Sequence, residues 1–234
     1  MPDATLRYAE HDEAVVDLHL PPSGRGPVLV LLHGGFWKAE WDRRHTRTMA
    51  RVLARSGWVV ATPEYRRVRG GGGWPVTGDD VRLAVETLPD LLERVGVEAG
   101  PLVATGHSAG GHLALWLAAT GTPFERVVAL APVCDLREAI RLGLGDHATK
   151  ALLGDTDPAL ADPMTLLDRR PDGEVVIVHG VEDDVVPVSL SRGLVTRHPW
   201  VRLVEVPGDH FGVIEPGSPA WPSVVDALAG KATG

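Results

Sequence analysis

Residues 101–112 read Pro-Leu-Val-Ala-Thr-Gly-His-Ser-Ala-Gly-Gly-His, and the next residues, Leu113, Ala114, Leu115 and Leu117, continue an apolar helical pattern. A short apolar run ends in Gly106-His107-Ser108-Ala109-Gly110, and a helix follows at once. This is the G-x-S-x-G pattern in the context it requires, strand, then sharp turn, then helix. The spacing has a steric reason. A serine on so tight a turn takes a strained backbone conformation, and side chains at Gly106 and Gly110 would collide with neighbouring main chain. The reading places Ser108 exposed at the end of a sheet, facing the positive end of the helix 109–120.

A hydroxyl is a weak nucleophile until a base takes its proton, so an elbow of this kind calls for a histidine and an orienting carboxylate. Both follow in the chain order Ser, acid, His. The strand candidate 174–179 leads into Gly180-Val181-Glu182-Asp183-Asp184-Val185-Val186-Pro187, and 201–206 leads into Pro207-Gly208-Asp209-His210-Phe211. Each follows a strand at its carboxyl end, the edge where open α/β sheets build their sites. Spacing alone leaves Asp183 and its neighbour Asp184 both open as the acid. Upstream, the run 28–33 ends in His33-Gly34-Gly35-Phe36-Trp37, where glycines let backbone N–H groups approach an oxyanion. The candidate donors are the N–H groups of Gly35, Phe36 and Ala109.

The rest of the chain supports a sheet-and-helix reading. Candidate strands at 5–9, 14–20, 28–33, 58–62, 101–106, 126–131, 174–179 and 201–206 alternate with helices at 42–56, 79–95, 109–120, 188–198 and 219–229. That alternation implies a mostly parallel central sheet with helices on both faces. The first two strands alternate in polarity and read as an antiparallel edge. Asp42 and Asp79 or Asp80 stand at N-cap positions, and Gly57 stands where a helix ends. Residues 135–172, rich in Asp, Leu, Gly and Pro, break the rhythm and read as a small cap inserted into one domain spanning 1–234.

Composition narrows the function classes. With 234 residues, 44% of them hydrophobic, the chain can bury a core without disulfides or metals. The net charge of −8 opposes nucleic acid and anionic lipid as partners. The lone Cys134 can form no internal disulfide, and the polar, acidic N-terminus has no apolar leader, so the expectation is a soluble cytoplasmic protein. His33, His107, His112 and His179 flank the motif turns without metal-ligand spacing and are expected to hydrogen-bond backbone, with no metal and no cofactor. Arg43, Arg47, Arg51 and Arg55 recur every four residues and read as a solvated helix face. Gly70 to Gly73 lack the Lys-Ser/Thr of a phosphate loop and read as a mobile connection.

Taken together, His33 to Trp37, Gly106 to His112, the His179-Gly180…Asp183…Val186-Pro187 segment and Gly208-Asp209-His210-Phe211, with Tyr65-Arg66, resemble a small α/β-hydrolase. Within that superfamily the chain is similar to the esterase and kynurenine formamidase group. It departs from the formamidases after the sixth strand, where they tend to carry Gly-x-Tyr-Asp-Leu and this chain reads Ala131-Pro132-Val133-Cys134-Asp135-Leu136. The resemblance implies the α/β-hydrolase fold, a triad of Ser108, Asp183 and His210, and a serine hydrolase acting on a small-molecule ester or amide. A short-chain carboxylesterase is the first expectation and kynurenine formamidase (arylformamidase) the alternative. A prolyl-oligopeptidase-like peptidase lacks room for its accessory domain, and a binding protein on this fold would not need all three triad positions filled. Trp37 and Phe211 are the candidate aromatic wall of the substrate pocket.

Overall fold

The computed structural model describes residues 1–98 and 100–231. Its strands are β1 (Ala4–Arg7), β2 (Val15–His19), β3 (Val28–Leu32), β4 (Val59–Pro63), β5 (Leu102–His107), β6 (Arg126–Leu130), β7 (Glu174–Gly180) and β8 (Arg202–Val206). They form one eight-stranded sheet in the order β1-β2-β4-β3-β5-β6-β7-β8. β1 and β2 are antiparallel, as their polar alternation implies, and every pair from β3–β4 to β7–β8 is parallel. Every residue of β3 and β4 is buried, because helices cover both faces of a parallel sheet.

The helices are α1 (Arg47–Arg55), α2 (Val76–Glu86), α3 (Leu88–Glu93), α4 (Ala109–Ala119), α5 (Leu136–Leu142), α6 (Leu144–Leu153), α7 (Pro163–Leu166), α8 (Ser189–Arg197) and α9 (Trp221–Leu228). Ala109 to Ala118 of α4 are all buried, so this helix is apolar all round and runs through the core. Two hydrophobic clusters lie on the opposite faces of the sheet. One holds Leu32, Trp37, Leu113 and Leu117, and the other Leu31, Met49, Val178 and Val224. Among the described residues no helix is long and apolar enough to cross a membrane.

Several local expectations need correction. The helix expected over 42–56 opens with a 3₁₀ turn at Arg43–Thr46, capped by Asp42, before α1 begins. The helix expected over 79–95 starts at Val76 and breaks at Thr87, because Pro89 has no N–H to continue the ladder. Asp80 is no cap. It is buried, and it takes Arg66 Nε at 2.9 Å and Nη2 at 2.6 Å. The arginine stripe is solvated only at Arg51 and Arg55. Arg43 Nε and Arg47 Nη2 reach the buried Asp17 at 3.1 and 2.9 Å. Within the tetraglycine, Gly72 packs tightly against backbone, since a Cβ there would lie 2.3 Å from Arg66 O, while Gly70 and Gly71 are exposed.

The segment between β6 and β7 carries α5, α6 and α7. Gly145, Asp146 and His147 in the first turn of α6 are left-handed, with φ near +59°. That conformation is costly for the two residues with side chains. The turn lays Gly145 against the loop after β3, where a Cβ would be 2.6 Å from the Phe36 ring.

Backbone packs closely where α4 meets β5 and the end of β3. A Cβ on Gly106 would be 2.2 Å from Gly110 O, and one on Gly110 would be 2.2 Å from Leu32 O. Backbone cannot yield cheaply, so Gly106→Ala is expected to destabilise by about 2–3 kcal/mol, a Tm drop of roughly 4–12 °C in calorimetry. Gly100→Ala, which meets nothing within 4 Å, is the control and should leave Tm unchanged.

Candidate active site

β5 ends at His107, and the chain reverses into α4 through Ser108, which has φ 56° and ψ −115°. Ser108 N–H donates to Leu130 O at 2.8 Å, and Ser108 O accepts His112 N–H at 3.0 Å. These bonds hold a left-handed serine that the backbone would not otherwise adopt. The loop after β3 lies alongside, since a Cβ on Gly34 would be 3.2 Å from Ser108 Cβ.

This loop is itself strained. Gly35, Phe36 and Trp37 have φ of 106°, 51° and 54°, and Lys38 N–H closes the turn on Gly35 O at 3.0 Å. Beneath it His33 lies fully buried, with Nδ1 2.8 Å from Gly34 O and Nε2 2.8 Å from Glu64 Oε1. A trans peptide points its C=O and N–H in opposite directions, so anchoring Gly34 O inward turns the Gly35 N–H outward. The N–H groups of Gly35, Phe36 and Ala109 donate to no protein acceptor among the described residues. Backbone N–H groups left without a protein acceptor can stabilise a developing negative charge.

Glu64 anchors the loop from below. Buried immediately after β4, it accepts His33 Nε2–H and the backbone N–H of Arg43 (2.9 Å), and it pairs with Arg67. Burial alone would raise its carboxyl. The hydrogen bond and charge of His33, the Arg43 N–H and the Arg67 charge outweigh that and hold it below the usual carboxylate range. Sequence reading missed Glu64, because one acidic residue after an apolar strand has no local signature.

The other two expected residues meet. His210 Nδ1–H donates to Asp183 Oδ2 at 2.6 Å, and Asp183 Oδ1 accepts the N–H of Val185 and Val186 at 2.9 and 2.7 Å. Asp183 is buried whereas Asp184 is exposed, so the structure separates two residues that spacing left open. Burial would raise the Asp183 carboxyl, but hydrogen bonds from His179 and His210 hold it far below the ordinary range. Asp209 turns away, with Oδ1 taking the N–H groups of Phe211 and Gly212.

His107 joins the two halves. Its Nε2–H donates to His210 O at 2.9 Å, and the two rings lie 4.5 Å apart. Burial and the neighbouring His210 charge push it well below an ordinary histidine, so it stays neutral and acts as a strut. The other motif histidines also bond backbone: His112 Nε2 meets Ala161 O and His179 Nε2 meets Val186 O, each at 2.9 Å. His45, which the sequence did not single out, packs 6.3 Å from Phe211 and 6.0 Å from His107.

The aromatic wall divides. Trp37 is fully buried, edge-on to His112 at 5.1 Å, and therefore packs beneath the loop instead of lining a pocket mouth. Phe211 is 46% exposed, 5.3 Å from the His210 ring. A cavity of about 90 Å³ lies beside Phe36, bounded by Lys38, Val68, Arg69, Asp146 and Ala148. A larger one of about 390 Å³ lies at the amino-terminal end of the strands, beside Leu102, Phe124 and Val175, on the opposite edge from Ser108.

Asp17, Glu64 and Asp183 are all held below their ordinary carboxyl values. A depressed folded pKa contributes stability in full above the unfolded value, about 4, and loses it as pH falls toward the folded value. Unfolding free energy from urea titrations should therefore decline from about pH 6.5, where His107 and His112, buried and neutral, begin to favour the protonated unfolded chain, and fall more steeply below about pH 4 as the carboxylates add their share. Asp183→Asn should flatten part of that fall. Undiminished wild-type stability at pH 3 would contradict the charge pairing.

Comparison with known proteins agrees with this architecture. The BD-FAE family model matches residues 16–197, more than three-quarters of the chain. A probable carboxylic ester hydrolase, LipM, of Mycobacterium tuberculosis is 27% identical over 221 residues, covering 83% of this chain and 51% of LipM. Esterase LipC of the same organism is 25% identical over 219 residues, covering 82% of this chain and 54% of LipC. The chain thus spans about half the length of these curated relatives. Among solved structures, a truncated carbohydrate esterase from gut microbiota superposes with a TM-score of 0.82 at 18% identity, covering 98% and 96% of the two chains. Butyrate-bound esterase Est2 of Thermogutta terrifontis gives 0.77 at 22% identity, covering 97% and 92%. The glycine-packed elbow, the parallel sheet and the family match together show that this chain is an α/β-hydrolase and belongs to the BD-FAE family.

Proposed function

We propose that the protein is a serine carboxylesterase of small-molecule esters with short acyl groups. The observation that carries the reading is the 2.6 Å bond from His210 Nδ1 to the buried Asp183, with His210 strapped by its own carbonyl to the residue before the Ser108 elbow. A histidine whose Nδ1–H is committed to a carboxylate presents a basic Nε2. Ser108 attacks the ester carbonyl as His210 takes its proton. The N–H groups of Gly35, Phe36 and Ala109 stabilise the oxyanion, and His210 returns the proton to the departing alkoxide. Water, activated by the same histidine, then releases the acyl group from Ser108. The ester hydrolases among the relatives support this chemistry.

The size of the acyl group is argued from the cap. Only residues 135–172 stand between β6 and β7 to build a cap, and the turn at Gly145 to His147 lays that segment against Phe36 of the loop after β3. So small a cap encloses little beyond the carbonyl, which favours a short acyl group over a long chain. Each methylene that does not fit costs about 1–3 kcal/mol. Cleavage of p-nitrophenyl acetate is expected to exceed that of the decanoate ester by at least about tenfold in kcat/KM. A preference for the decanoate would contradict the short-acyl reading. N-formylkynurenine in the same assay tests the formamidase alternative, and turnover above that of the acetate ester would favour it.

Fluorophosphonate labelling with peptide mapping tests the nucleophile, with the adduct expected on Ser108. Ser108→Ala should abolish labelling and lower kcat by about 10⁴–10⁶. Asp183→Asn should lower kcat by about 10³–10⁴, while Asp184→Asn should cost less than about threefold. Equal losses for the two aspartates would overturn the assignment of the acid.

A further inference from the structure

The Asp183 carboxylate has a second imidazole on it. Besides His210 Nδ1–H at 2.6 Å, Asp183 Oδ2 lies 3.1 Å from His179 Nε2. His179 is fully buried near the end of β7, and its Nε2 also lies 2.9 Å from Val186 O. Both neighbours are acceptors, so Nε2 carries the hydrogen and shares it between them. The opposite nitrogen, Nδ1, pairs with Ser191 Oγ of α8 at 2.7 Å, and Cys134 Sγ lies 3.9 Å from that oxygen. The ring is therefore held at both nitrogens, and the mechanism above gives it no part.

We propose that His179, oriented by Ser191, is a positioning residue that fixes Asp183 against His210 and tempers its charge. The inference rests on the reading of Ser108, His210 and Asp183 as a catalytic triad. A carboxylate oxygen has two acceptor directions, and a buried one left empty costs free energy or admits water. His179 fills the second direction on Oδ2, while Val185 and Val186 hold Oδ1. With four donors the carboxylate has one orientation. The same bond acts on charge, because every donor a carboxylate accepts makes it less basic. A less basic Asp183 supports the His210 imidazolium less strongly, so removing His179 should make His210 easier to protonate.

Other charges around the pair remain in place in such a variant. His210 is faced by Asp183, by His107 from the end of β5 and by His45 from the turn at 43–46. His179 is faced by Asp183, by Ser191 with the Cys134 thiol behind it, and across the sheet by Glu205 of β8, which is paired with Arg192.

The test is the pH dependence of p-nitrophenyl acetate hydrolysis by the full chain as wild type, His179→Leu, His179→Gln and Ser191→Ala. Fluorophosphonate labelling and Tm serve as folding controls. His179→Leu is expected to lower kcat by about 10–100-fold with KM within about threefold, the range seen when a supporting hydrogen bond is removed. It should also move the acid limb of kcat/KM to higher pH. His179→Gln, whose amide can donate to Oδ2, should return kcat to within about fivefold of wild type and restore the limb. Ser191→Ala should fall between the two. A folded His179→Leu with wild-type kcat and an unmoved limb overturns the proposal. So does a loss of kcat that follows Tm alone, with an unmoved limb and no rescue by Gln. If His179→Leu does not fold, Ser191→Ala decides: a lowered kcat and a raised limb support the role, and wild-type values overturn it. Activity surviving Ser108→Ala is a separate result that overturns the triad reading itself and this proposal with it.

Discussion

The crossing of β5 and α4 is made of backbone against backbone. Gly106 faces the Gly110 carbonyl, and Gly110 faces the carbonyls of Leu32 and His33, at separations that leave no space for a methyl group. Because α4 lies this close, the chain between must reverse in a single residue, and Ser108 takes the positive φ that results. The same closeness presses the Ser108 turn against the end of β3, so the loop His33 to Trp37 has one course past the serine. Sheet register, helix position and loop geometry are thus consequences of one steric constraint. The strain at Ser108, Phe36 and Trp37 is sustained by the buried core around them.

Buried charge extends that constraint to the far side of the loop. Glu64 joins His33, Arg43 and Arg67, and Asp17 joins Arg43, Arg47 and Thr5, so β2, β4 and the start of α1 share one polar network. Buried ion pairs of this kind add little net stability over an apolar core, while losing one partner is costly. What they supply here is direction. The inward pull of His33 on Gly34 O turns the next N–H the opposite way.

On the other side of the serine, histidines do structural work that their chemistry permits at little cost. His107 is kept neutral by burial and lends one N–H to the His210 carbonyl. His179 lends one N–H to Asp183 and Val186 and receives Ser191 on its other face. An imidazole is a flat ring with one polar atom on each side, suited to bridging two strand ends where a lysine or arginine would demand a counter-charge.

Much of this was legible in the residues themselves. Glycine at 106 and 110 around a serine, between a strand and a helix, admits few folded solutions, and strand-length runs alternating with helical ones imply a largely parallel sheet, though not the order of its strands. The order Ser108, then Asp183 or Asp184, then His210 follows from chain sequence, as does their placement at strand ends. Three-dimensional contact decided the rest. Spacing cannot separate Asp183 from Asp184, but burial just past β7 and two backbone N–H groups do. Periodicity made one solvated face of four arginines, and Asp17, distant in sequence, drew two of them inward. Trp37 looked like a pocket wall until the left-handed loop folded it into the core. Local sequence determines what a segment can do with its own backbone, whereas charge partners and burial depend on residues brought together only by the sheet.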